Sequence, residues 1–107
     1  MRAITYKGSI YVNPNAAGLE SLGLTPADAA GVMIQLARED VLQRRDELLQ
    51  VAAVRIAPLQ DAQDLATATA AESAQLLAWK QYRVDLSRIE QQSGFPTVLE
   101  WPEVPAQ

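Results

Sequence analysis

The sequence from Thr25 to Pro58 decides the fold and reads TPADAAGVMIQLAREDVLQRRDELLQVAAVRIAP. Thr25 supplies a capping hydroxyl, Pro26 suits a first helical position, and Asp28 places a carboxylate near the positive end of the helix dipole. Apolar side chains then recur every three, four or seven residues. The stripe comprises Ala30, Ile34, Ala37, Val41, Leu48 and Val51. The pattern predicts one long amphipathic helix that Pro58 stops or kinks, because proline has no backbone N–H to donate.

A second long helix is predicted to begin after Thr69. Thr69 and Glu72 have the spacing of a capping box, in which each side chain satisfies a free amide at the start of the helix. Apolar and aromatic residues keep helical spacing to about Glu90, and Ser93-Gly94 supplies a stop. They are Leu76, Trp79, Tyr82, Leu86 and Ile89. The short connection between the two helices predicts an antiparallel helical hairpin.

The two ends of the chain have a different character. Residues 2–12 are rich in β-branched and aromatic side chains and are interrupted by Lys7-Gly8, which predicts a short β-hairpin or two extended pieces. Residues 94–105 read GFPTVLEWPEVP, and their three prolines predict an extended C-terminal tail. The expected fold is therefore mainly α, of the α+β class. Its expected domains are an N-terminal β-hairpin and loop over residues 1–24 and a helical region with an extended tail over residues 25–107.

Composition restricts the function. The 107 residues include nine Lys and Arg against thirteen Asp and Glu, a net charge of −4 that opposes nucleic-acid binding. The chain has no His and no Cys, which removes the usual general base, the thiolate nucleophile and most metal sites. No apolar run approaches the roughly 18 residues of a membrane helix, and residues 1–12 do not resemble a signal peptide. We expect no catalytic or metal-ligating residues, no cofactor, and neither a nucleic-acid nor a membrane partner.

Aromatic and proline residues are the best candidates for a binding site. Trp79 and Tyr82 share a helix face, where large rings serve either as core or as interface anchors. The tail can fold back on the helices or the N-terminal hairpin, or pair with a strand of a partner. The candidate partner-binding residues are Trp79, Tyr82, Phe95, Pro96, Val98, Trp101 and Pro102.

Four motifs resemble a known family. They are residues 44–49 (RRDELL), 56–62 (IAPLQDA), 77–83 (LAWKQYR), and Gly94-Phe95-Pro96 followed by Trp101-Pro102. In this order and spacing they resemble the bacteriophage tail fibre assembly protein family, which also occurs in prophages and phage-tail-like bacteriocins. The resemblance extends over about residues 37–105.

The resemblance implies a chaperone that is not an enzyme. Its partner would be the cognate tail fibre protein, bound at the C-terminal tip of the trimer during folding or trimerisation. The expected location is the cytoplasm of the bacterial host, with retention at the fibre tip in some members of the family.

Two alternative functions make different demands on the sequence. A helical hairpin can self-associate through Ile34, Val41 and Leu48, and the helix length allows a homodimer. A hydrolase with an acidic site would need convergent polar groups, and none is recognisable in the sequence.

Overall fold

The computed structural model describes residues 2–106 and is mostly helical. Two short strands come first, three α-helices follow, and a 3₁₀ turn at Ile89–Gln91 extends the last helix. The elements are β1 (Ala3–Tyr6), β2 (Ser9–Val12), α1 (Ala16–Ser21), α2 (Pro26–Asp64) and α3 (Ala70–Ser87). The predicted fold class, a long helix in a helical hairpin with a small N-terminal β-hairpin, is confirmed.

The chain forms two compact units, Met1–Val41 and Leu42–Gln107, so the division falls within α2. The domain boundary expected between residues 24 and 25 stays a prediction. It rests on the change from strand to helix pattern, whereas the two compact units are defined by which parts of the chain lie close together in space.

In the first unit, the hairpin packs on helices. β1 and β2 are antiparallel, and positive φ angles at Lys7 and Gly8 suit the tight turn that joins them. Ile4 is fully buried in a small core, together with Leu19, Ala29 and Val32. Helix α1 was not predicted, because Gly18 and Gly23 suggested a loop. The Asn15 side chain caps it by accepting a hydrogen bond from the Gly18 amide at 2.7 Å.

In the second unit, the last part of α2 and α3 form the predicted antiparallel hairpin. Ser73 donates a hydrogen bond to Gln63 near the connection, and Arg45 pairs with Glu90 at 2.7 Å near the other end. The core between these points holds Ala52, Ile56, Leu76, Trp79, Tyr82 and Leu86. The predicted capping box is present, with Glu72 N–H donating to Thr69 Oγ1 at 3.1 Å and Thr69 N–H donating to the Glu72 carboxylate at 3.0 Å.

Helix α2 departs from the predicted pattern in two respects. Of the two effects expected of Pro58, the stop is wrong, because Pro58 lies inside the helix, which continues to Asp64; the kink stays a prediction. The predicted apolar stripe also coincides only in part with the buried face of α2. Ile34 and Val51 belong to the stripe but are exposed, whereas Val32 and Ile56 lie outside it and are buried. The physical reason is that the buried face of α2 is set by what packs on it: Ala29 and Val32 lie in a core with Ile4 and Leu19, and Ala52 and Ile56 pack on α3.

Candidate protein-binding site

Trp79 and Tyr82 are core residues. They are 2% and 3% exposed, and their rings meet edge to face with centroids 5.7 Å apart. The cap at Thr69 sets where α3 begins. Trp79 and Tyr82 are three residues apart, so they lie on the same face of α3, and this face packs on Ala52 and Ile56 of α2. Of the two interpretations of these rings, the structure therefore favours core packing. A partner can therefore touch only the small exposed part of each residue, which lines a surface cavity.

The Tyr82 hydroxyl is the one buried polar side-chain atom in residues 2–106 that has no hydrogen-bond partner. Burial raises the pKa of this phenol, and the positive charge of Arg44 partly opposes the rise. A buried hydroxyl without a partner typically costs about 1–3 kcal/mol. Tyr82 thus contributes apolar area to the core at an energetic cost that phenylalanine would avoid.

A groove made of two adjoining cavities lies along α2, and one of them borders Trp79. One part, a cavity of about 370 Å³, is lined by Val54, Pro58 and Trp79 among others. The adjoining part, about 390 Å³, shares Val54 and Arg55 with it and adds Glu47, Gln50 and Val51. Val54 is 67% exposed, which makes it the most accessible apolar residue of the groove. Sequence analysis missed Val54, since it lies off the predicted stripe.

The start of the tail is a compact turn. The amides of Thr97 and Val98 both donate to the Gly94 carbonyl, at 3.0 and 2.8 Å. A side chain at Gly94 would collide with the Val98 carbonyl oxygen and approach the Val98 Cβ to 2.8 Å, so the close approach requires glycine. Phe95 and Pro96 are half-buried in this turn, and Val98 is exposed.

The Gln92 side chain holds the next part of the tail. Its amide donates to the Glu100 carbonyl at 2.7 Å and accepts from the Glu100 amide at 2.8 Å, as a neighbouring strand would. Trp101 and Pro102 then line a cavity of about 340 Å³ with Asp85 and Arg88. Within the described part of the chain, no hydrogen bond reaches the backbone of residues 101–106.

The structure therefore distributes the predicted site residues over two sides of α3. Trp79 borders the groove with α2, whereas Trp101 and Pro102 line a groove on the tail side. Tyr82 lines a further cavity of about 390 Å³ between α3 and the tail, together with Val104 and Pro105. The arrangement offers apolar grooves and an extended backbone, the features that protein-binding modules use.

Residues 2–106 contain neither a candidate metal cluster nor a candidate membrane span. Their acidic side chains form no cluster of three that could hold a metal ion. None of their helices has the length and apolar character needed to cross a membrane. The geometry thus defines the class as a small helical-hairpin module with apolar grooves and an extended tail.

Comparison with known proteins identifies the family. The family model for "Caudovirales tail fibre assembly protein, lambda gpK" matches residues 31–106. Because this match covers most of the 107 residues, the chain belongs to the tail fibre assembly family, as the sequence motifs predicted.

Curated relatives carry the same description. The chain is 49% identical over 63 residues to the tail fiber assembly protein of Escherichia phage lambda, a match covering 59% of this chain and 31% of that protein. It is 46% identical over 63 residues to the prophage tail fiber assembly protein homolog TfaR of Escherichia coli strain K12, covering 59% and 32%. A probable tail fiber assembly protein of Acyrthosiphon pisum secondary endosymbiont phage 1 is 45% identical over 62 residues, covering 58% and 39%.

The matched region spans about a third of the length of these curated relatives. No solved structure matches the chain.

Proposed function

We propose that this chain acts in tail fibre assembly, as a chaperone that binds the C-terminal tip of a trimeric phage-type fibre and promotes its folding or trimerisation. The observation that carries the proposal is the family match over residues 31–106. The proposed role uses no catalysis and no cofactor. It takes place in the cytoplasm of the bacterial host, and continued attachment at the fibre tip is part of the same proposal.

The physical need for such a partner follows from the fibre. A trimeric tip built of intertwined strands has many contacts between distant residues, so it folds slowly and exposes apolar surface and unpaired strand edges meanwhile. Exposed edges of this kind favour aggregation. A small protein with apolar grooves and an extended backbone can cover them during assembly.

We place the contact on the tail side of α3. Trp101, Pro102 and Val98 provide accessible apolar surface, and the backbone after Glu100 is free to pair with a strand. Phe95 and Pro96 contribute by shaping the turn that presents this segment. In this proposal Trp79 and Tyr82 support the surface from beneath, since both are buried.

The test is co-expression with the fibre protein encoded by the neighbouring gene, followed by size exclusion and a trimer assay. We expect soluble fibre trimer only when this chain is present, and co-elution would show that it stays bound. Equal assembly of the fibre alone would refute the chaperone role.

Variants then examine the proposed surface. The double variant Phe95→Ala and Trp101→Ala should lower the yield of trimer while the isolated chain stays helical. Leu77→Ala is the matched control, because Leu77 is an exposed apolar residue of α3 that lines none of the grooves described above. An unchanged yield with the double variant would refute the surface and leave the family role standing.

Self-association is the second candidate. Ile34, one of the three residues expected to mediate it, is half exposed on α2. Sedimentation of the chain alone would show a defined homodimer if this face pairs, and a monomer would refute it.

A further inference from the structure

The two edges of the N-terminal β-hairpin are not equivalent. The Asn13 amide donates to the Arg2 carbonyl at 2.6 Å, which fixes this pair as a hydrogen-bonded one. Pairs in an antiparallel ladder alternate between hydrogen-bonded and non-hydrogen-bonded. Ala3 opposite Val12 is therefore a non-hydrogen-bonded pair, and so is Thr5 opposite Ile10. The backbone N–H and C=O groups of these four residues point away from the partner strand, to the outer edge of β1 for Ala3 and Thr5 and to the outer edge of β2 for Ile10 and Val12.

The β1 edge is already occupied. The Gln35 side chain of α2 donates from Nε2 to the outward carbonyl of Thr5 at 2.6 Å. On β2, by contrast, no hydrogen bond from residues 2–106 reaches the outward backbone groups of Ile10 or Val12. Strand β2 also contains no charged residue and no proline, the side chains that usually protect an edge from pairing.

Apolar surface accompanies this free edge. Ile10 and Val12 are 68% and 55% exposed, although both lie in a strand. A cavity of about 310 Å³ adjoins them and is floored by Leu19 and Leu22, the latter 72% exposed. The edge thus combines free backbone donors and acceptors with a place for an apolar side chain, as peptide-binding sites that work by strand addition do.

We propose that β2 is a strand-addition site, where an extended, uncharged segment of the tail fibre protein pairs with the outward backbone groups of Ile10 and Val12 and seats an apolar side chain against Leu22. This inference rests on the proposed function, because it takes the fibre as the partner. It adds a contact in the first compact unit to the one proposed on the tail side of α3.

A second copy of the chain fits the edge less well than the fibre does. Symmetric pairing of β2 with itself would join four residues a side, whereas a stable interface uses about 20–30. Two copies would also bring together net charges of −4 each. The uncharged edge instead complements an uncharged strand of a larger partner that binds elsewhere on the chain as well.

Hydrogen exchange on the wild-type chain tests the pairing directly. In the free protein the amides of Ile10 and Val12 should exchange fast, because they have no acceptor, and the Tyr11 amide in the ladder should exchange more slowly. Adding the co-expressed fibre protein should slow exchange at Ile10 and Val12 by at least tenfold. Unchanged exchange at both amides in a complex that demonstrably forms would overturn the proposal.

A pair of proline variants gives an independent measure. Ile10→Pro removes an outward amide that takes no part in the hairpin ladder, and proline is tolerated at such edge positions. Thr5→Pro removes the equivalent amide on the β1 edge and is the matched control. With both variants shown to be folded by circular dichroism, Ile10→Pro should weaken fibre binding about tenfold, the effect of one lost backbone hydrogen bond, while Thr5→Pro should not.

The outcomes separate the two proposals. If wild-type chain and fibre form no complex, the proposed function fails and this inference fails with it. If the complex forms but Ile10→Pro binds as the wild type does, only the strand-addition site is overturned.

Discussion

Replacing Tyr82 with phenylalanine should stabilise the second compact unit. The Tyr82 hydroxyl is buried without a hydrogen-bond partner in residues 2–106, while its ring packs edge to face on Trp79. Tyr82→Phe keeps the ring contact and removes a polar group whose burial costs about 1–3 kcal/mol. The loss of one oxygen's packing contacts offsets part of the gain. The expected net effect is an increase of about 1 kcal/mol in the free energy of unfolding.

Urea unfolding followed by circular dichroism measures this change. The midpoint should rise while the slope against urea stays constant, because the area exposed on unfolding hardly changes. Tyr11→Phe is the matched control, since Tyr11 is only half-buried and should respond within about 0.5 kcal/mol. If Tyr82→Phe instead lowers the free energy of unfolding by more than 0.5 kcal/mol, the hydroxyl has a stabilising partner and the reasoning is refuted.

The same variant should change the response to alkaline pH. Burial raises the pKa of Tyr82 above that of an exposed phenol, so its folded pKa exceeds its unfolded pKa. The folded state then binds the proton more tightly, and stability is lost as pH rises from the unfolded pKa near 10 through the folded pKa. Tyr82→Phe should remove this part of the loss, which unfolding curves between pH 8 and 11 would show.

Three further predictions follow from local geometry. Thr69→Ala removes the capping hydroxyl of α3 and should lower the free energy of unfolding by about 1 kcal/mol, measured by urea unfolding. Gly94→Ala should cost about 1–3 kcal/mol because the new methyl group meets the Val98 carbonyl, and an unchanged thermal midpoint would contradict this. The hydrogen bond from Lys7 lowers the pKa of Asp28, so the stability this pair provides is present above the ordinary carboxyl pKa and is lost as pH falls through the lowered one. Lys7→Ala should flatten that acid limb in unfolding curves between pH 2 and 5.

Local signals predicted the elements that depend on local contacts. The capping pattern at Thr69 and the three-four spacing after it placed α3 and its buried residues correctly, because both act within one or two helical turns. The interruption at Lys7-Gly8 likewise marked the position of the turn between the two strands. A stop at Pro58 was wrong, since a proline removes one hydrogen bond while packing of Ala52 and Ile56 on α3 supports the helix on the near side of it.

The candidate site was harder to predict because accessibility depends on residues far away in sequence. The pattern around Trp79 allowed a core residue or an interface anchor, and its packing with Ala52 and Ile56 of α2 decides for the core. Val54 of α2 lies off the predicted stripe, yet it is 67% exposed and lines the cavity beside Trp79. Arg45 seemed one of several surface charges, yet it pairs with Glu90 across the helical hairpin. A sequence pattern identifies which face of an element is apolar, but only the tertiary structure shows what covers that face.

Strand β2 shows how the tertiary structure, beyond the sequence pattern, indicates a candidate functional surface. Alternation in residues 9–12 would assign one face to the core and the other to solvent, and Tyr11 does turn towards the core while Ile10 and Val12 face outwards. Apolar residues on the outward face are unfavourable for an isolated hairpin, and Gln35 protects only the other edge. The unfavourable exposure of these apolar side chains is explained if the fibre protein covers this edge during assembly. Ile10→Lys should therefore leave the free chain folded and weaken fibre binding, while the contact on the tail side of α3 remains, a combination that a purely structural role for Ile10 would not produce.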